Sequence, residues 1–111
     1  MNCFHGSIPA SICTSSKLEK IVLSALSLAC YRQPKMSGSI PQCMFDMPNL
    51  SGLYLSSNKL KGEISENVLI KSPLLVNLSI SYNMVEGKIP GQLMTTKLMT
   101  VDLAHNRLTG F

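Results

Sequence analysis

An asparagine followed four residues later by a glycine recurs along this chain at a nearly constant interval, and that interval limits the folds open to it. Asn58, Asn83 and Asn106 stand 25 and 23 residues apart, and Gly62, Gly87 and Gly110 follow them. Three segments align without gaps: LSGLYLSSNKLKGEIS from Leu50, LLVNLSISYNMVEGKIP from Leu74 and LMTVDLAHNRLTG from Leu98. Upstream, Asn2 and Gly6 keep the same phase, and Gly38 keeps it without the asparagine. A fixed period of this length means stacked supersecondary units, each burying its apolar face against its neighbours.

The chemistry of each position explains the spacing. The pairs Leu53/Leu55, Leu78/Ile80 and Val101/Leu103 are apolar residues two apart, the period of a strand with one buried face. The residues between and beside them point outward onto a shared sheet. The asparagine beyond the strand can offer its amide to the backbones of adjacent coils, satisfying polar groups that are costly to bury unpaired. Leu60, Val85 and Leu108 then return inward, and the glycine permits a turn conformation that other residues resist. Ile8-Pro9, Ile40-Pro41 and Ile89-Pro90 predict a short extended segment on the far side, where the missing proline donor suits a sheet edge.

The period, together with GSIP at Gly6, GSIP at Gly38 and GKIP at Gly87, resembles the plant-type leucine-rich repeat. One copy deviates, with serine at the proline position of Gly62-Glu-Ile-Ser65. The longer strings GSIPASIC and MSGSIPQCMFDMPNLSGLYLSSNKLKGEI are similar to the ectodomains of plant receptor-like proteins. The implied fold is α/β in class: a right-handed leucine-rich-repeat solenoid of about four coils, uncapped. Its concave face is a parallel β-sheet, and its convex side carries short 3₁₀ or irregular segments. The repeat phases fall near 1–17, 18–49, 50–74, 75–97 and 98–111.

Two features interrupt the pattern. Forward from Leu18, Ile21 and Leu23 the ladder asparagine is due at Leu26; backward from Gly38 it is due at Pro34, eight residues later. Residues 24–34 therefore read as an insertion in one coil. Its apolar content suits a defect in the coding sequence better than a solvent-facing binding loop. The pattern also opens at an asparagine phase and stops after a glycine, with no polar capping unit, export signal or anchor. This reads as an excerpt of a longer chain.

Composition excludes several function classes. With 45% hydrophobic and 14% charged residues in a chain of 111, general disorder is excluded. The net charge is +4, but the basic residues are scattered singly from Lys17 to Arg107, which is no footprint for nucleic acid. The longest apolar run, Ile21 to Cys30, is far short of the ~20 residues that span a bilayer. No phosphate-binding loop or metal-ligand spacing is present, so no cofactor or metal is expected. His5 lies near Cys3 at the start of the chain. Asp102 and His105 are three apart, and strict strand alternation would turn them to opposite faces; neither pair makes a catalytic dyad, and no enzymatic activity is expected. Cys3, Cys13, Cys30 and Cys43 fit no zinc motif. Cys13 and Cys43 occupy equivalent convex positions, which allows a disulfide, but buried small thiols are the favoured reading.

The outward strand positions form the candidate binding face: Lys20, Gly52, Asn77 and Thr100; then Val22, Tyr54, Ser79 and Asp102; then Ala25, Ser57, Tyr82 and His105. Tyr54, Ser79, Tyr82, Asp102 and His105 are the candidate contacts, since aromatics dominate recognition energetics. Asn49-Leu-Ser51 and Asn77-Leu-Ser79 are glycosylation sequons, and a glycan on Asn77 would block the concave sheet. The resemblance implies a protein or peptide ligand, a co-receptor kinase as partner, and a parent at the extracellular face of the plasma membrane in defence or development. A secreted inhibitor of wall-degrading enzymes and a truncated, non-functional gene product are the alternatives.

Overall fold

The computed structural model describes residues 6–24, 35–66, 68, 73–94 and 98–110. Among the described residues, nine short strands alternate between two parallel sheets as the chain winds. Lys20–Val22 (β2), Gly52–Tyr54 (β4), Asn77–Ser79 (β6) and Thr100–Asp102 (β8) form the concave sheet, in the order β2-β4-β6-β8. The second sheet holds Gly6–Ser7 (β1), Met36–Ser39 (β3), Lys59–Gly62 (β5), Met84–Lys88 (β7) and Arg107–Thr109 (β9), ordered β1-β3-β5-β7-β9.

Between the sheets lies one continuous core. Ile21, Leu53 and Leu78 stack in register across the concave sheet, with Leu55 and Ile80 behind them. Met36, Leu60 and Val85 enter from the second sheet, and Ile8, Ile40 and Ile64 close the far side with Met44 and Phe45. Val101, the next member of the Leu53–Leu78 column, is 40% exposed because β8 is the edge strand of its sheet.

The asparagine ladder binds coil to coil. Asn83 accepts a hydrogen bond from the Leu60 amide (3.0 Å) and donates to the Leu55 carbonyl (2.9 Å), both in the preceding coil. It also donates within its own coil to Ile80 and Ser81. Asn58 does the same with Met36 and Leu23, and Asn106 with Val85 and Ile80.

The second sheet departs from the sequence-based expectation. The extended segment precedes Ile-Pro rather than containing it: β3 ends at Ser39 and β7 at Lys88. The prolines instead open the convex turns. Ile12, Met44 and Leu93 donate to the carbonyls of Pro9, Pro41 and Pro90, and 3₁₀ turns follow at Ala10–Thr14, Gln42–Asp46 and Gly91–Met94. Proline's fixed φ suits the first position of such a turn. Ser65, standing in for proline, makes the same bond with the Val68 amide, so the ring is favourable there without being required. Gly38, Gly62 and Gly87 lie inside the strands with φ of 80°, 103° and 89°, a conformation that disfavours any side chain.

The cysteines give a second correction. Cys13 and Cys43 form a disulfide between the first two convex turns, with a Cα–Cα distance of 6.0 Å. Neither residue is buried. Both are half-buried, and stacking of the turns brings these equivalent positions of adjacent coils within disulfide reach. Cys3, His5, Ala25 and Cys30 lie outside the described residues. So does nearly all of the stretch read as an insertion; at its flanks, Asn58 contacts both Leu23 and Met36.

Candidate recognition face

Strand register sets the outward side chains in columns. Lys20, Gly52, Asn77 and Thr100 align, as do Val22, Tyr54, Ser79 and Asp102. Because side chains alternate along a strand, these two columns share the face opposite to the core.

Hydrogen bonds between neighbouring coils order this face. Thr100 Oγ1 donates to Asn77 Oδ1 at 2.6 Å. Ser79 Oγ lies 2.5 Å from Ser56 Oγ, which also accepts from Ser81 Oγ at 3.0 Å. Asp102 Oδ1 accepts the Ala104 amide at 3.3 Å. The Tyr54 ring folds back over Gly52, where a Cβ would stand only 2.8 Å from its Cε2 atom. The absence of a side chain at Gly52 therefore lets the ring lie along the sheet.

Beyond the strands, Ser57, Tyr82 and His105 form a third set. All three adopt left-handed backbone, with φ of 63°, 57° and 57°. The Ser57 and Tyr82 amides donate to Ser81 and Ala104 in the following coil. This brings the rings of Tyr82 and His105 into a stack, with centroids 4.1 Å apart and planes 14° from parallel. Tyr82 is 56% exposed, so the pair offers an aromatic surface to solvent. His105 is thus committed to Tyr82 through stacking, while the Asp102 carboxylate engages the backbone.

Asn49 is exposed at the entry to β4, and its Nδ2 donates to the Ser16 carbonyl at 2.6 Å. Asn77 is half-buried within β6. Shallow grooves lie elsewhere, along the second sheet around Glu63, Glu66, Gly87 and Lys88. Sequence reasoning named five candidate contacts but did not single out Ser56 as the hydrogen-bond partner of Ser79 or Thr100 as that of Asn77. The recurrence of an aromatic ring just before two ladder asparagines, at positions 82 and 105, was the signal available for the stack.

Two parallel sheets around one core, tied by a buried asparagine ladder, define a leucine-rich-repeat solenoid. A family model described as Leucine Rich Repeat matches residues 49–69. Receptor-like protein 13 of Arabidopsis thaliana is 37% identical over 111 residues, covering 98% of this chain and 10% of that protein. Receptor-like protein CLAVATA2 of the same plant is 36% identical over 66 residues, 60% of this chain and 9% of that protein. Among solved structures, the receptor kinase HAESA from Arabidopsis, in complex with the peptide hormone IDA and the co-receptor SERK1, superposes with a TM-score of 0.78 at 31% identity. That match covers 96% of this chain and 17% of the HAESA chain. The plant peptide hormone receptor RGFR1, in complex with RGF2, gives 0.81 at 29% identity, covering 99% and 16%. The chain is a stretch of plant-type leucine-rich repeats, similar to plant receptor-like proteins and to the ectodomains of plant leucine-rich-repeat receptors. It spans about a tenth of the length of the curated relatives quoted above. No helix among the described residues is long and apolar enough to cross a membrane.

Proposed function

We propose that the chain is a ligand-recognition segment of a plant cell-surface receptor-like protein. It binds a protein or peptide across adjacent strands of its concave face and performs no catalysis. The observation that carries this reading is the ordered outward face itself: Tyr54, Ser79 and Asp102 aligned across three strands, flanked by the Tyr82–His105 stack. Such a rigid polar-aromatic surface binds by complementarity, with exposed aromatic rings as anchors. The peptide hormones in the HAESA and RGFR1 complexes support a peptide as the ligand class, and SERK1 supports a co-receptor kinase as signalling partner. The Cys13–Cys43 disulfide favours an oxidising compartment, in keeping with the extracellular face.

A display library of random linear peptides, panned against the secreted 111-residue chain, tests the reading. Enriched peptides should lose about tenfold or more in affinity on Tyr82→Ala, as expected for an aromatic anchor. Enrichment no better than that of a chain with the concave positions changed to lysine would sink it.

A further inference from the structure

We infer that Asn77 and Ser79 form a paired hydrogen-bond donor, oriented by neighbouring hydroxyls on the same face, for two backbone carbonyls of an extended peptide. The inference rests on the recognition reading above and specifies which ligand atoms are contacted.

The argument begins with counting protons. A serine hydroxyl has one proton and two acceptor lone pairs. Ser81 gives its proton to Ser56. If Ser79 also donated to Ser56, the Ser56 proton would be left without an acceptor in a buried site, which is unfavourable. Ser56 therefore donates to Ser79 across their 2.5 Å contact. Ser79, accepting from its neighbour in the preceding coil, keeps its own proton for the concave face, where no group of the described protein receives it. Serial donation also polarises the last hydroxyl in the chain.

Asn77 reaches the same state by another route. Thr100 occupies its Oδ1 at 2.6 Å, which fixes the amide so that Nδ2 is the free end. Among the described residues that nitrogen has no side-chain partner. The hydroxyl of Thr100 thus acts on Asn77 as Ser56 acts on Ser79.

Spacing then selects the ligand. Asn77 and Ser79 are two residues apart on β6, hence on one face and roughly 6.6 Å apart along the strand. Carbonyls on one side of an extended peptide repeat at the same distance. Charge decides what kind of acceptor fits. Asp102 sits beside Ser79 in register, so an anionic acceptor would be repelled while a neutral carbonyl is not. On the opposite flank Tyr54, lying over Gly52, supplies an apolar wall. The same residues bound the sequon Asn77-Leu78-Ser79, so this site requires Asn77 to carry no glycan.

The test uses a peptide enriched from the library above, resynthesised with single thioamide replacements, since sulfur accepts hydrogen bonds weakly. Ser79→Ala and Asn77→Ala should each weaken binding about three- to tenfold, the effect of one neutral hydrogen bond. One thioamide position should lose nothing further in Ser79→Ala, and a second, two residues away, nothing further in Asn77→Ala. Thr100→Val, which keeps both donors but frees the Asn77 amide, should weaken binding with its thermal midpoint near that of the parent. Peptides that bind equally well to the Ser79→Ala and Asn77→Ala chains would overturn the donor pair and leave the recognition reading standing. So would selected peptides whose binding depends on a carboxylate, or a glycan found on Asn77 in chain secreted from plant cells. Failure to enrich any peptide would count against the recognition reading itself, and the donor pair with it.

Discussion

At the residue scale the ladder asparagine carries the heaviest structural duty. Asn83 is buried and makes four side-chain hydrogen bonds, two to its own coil and two to the coil before it. Removing the amide leaves several buried backbone groups unpaired at once. Asn83→Ala should destabilise the chain by about 3 kcal/mol, at the upper end for one buried unsatisfied group. Asn106, half-buried in the edge coil, should cost less. Equal shifts in the urea midpoint for the two variants would contradict this. Asparagine was readable here because few residues donate and accept from one planar group. The left-handed backbone at Ser57, Tyr82 and His105 was not readable, since none of the three is a glycine or asparagine. It arises because the chain must turn to bring the next residue's amide into the core.

At the scale of elements, the convex side holds most of what the sequence did not disclose. Its two-residue apolar period marked the concave strands correctly, and the register then followed from the repeat. The second sheet has no such signature, because β5 and β7 interleave charged residues, an inward leucine or valine and a glycine. Its strands exist because parallel neighbours in successive coils satisfy one another's backbone groups. The disulfide between the first two convex turns was likewise open at the sequence level. It closes 30 residues, worth about 3–4 kcal/mol on the chain-entropy account. Reduction, or Cys13→Ser, should therefore lower the thermal midpoint by several degrees. Cys13 and Cys43 should both resist iodoacetamide until a reductant is added; labelling of either in the native, unreduced chain would refute the bridge.

For the molecule as a whole, stability is a sum over neighbouring coils, so the same substitution has different effects along one column. Leu78 is fully buried between Leu53 and Val101, whereas Val101 is 40% exposed. Leu78→Lys should abolish cooperative unfolding, because an unpaired charge cannot be accommodated in the core. Val101→Lys should shift stability by less than about 1 kcal/mol and reduce self-association, since it places charge on an apolar sheet edge. Sedimentation and urea unfolding of the two variants test the contrast; a larger loss for Val101→Lys would reverse the proposed position of the edge.

The repeat pattern alone was enough to read the solenoid, the inward and outward assignment of the concave strands, and the candidate face. Those follow from a fixed period and side-chain alternation, which are local and repeat in every coil. The second sheet, the Cys13–Cys43 bond, the Tyr82–His105 stack and the hydroxyl relay beside Ser79 emerged only from the folded arrangement of the coils. Each joins residues from different coils, more than twenty positions apart, and depends on how far one coil is displaced and rotated against the next.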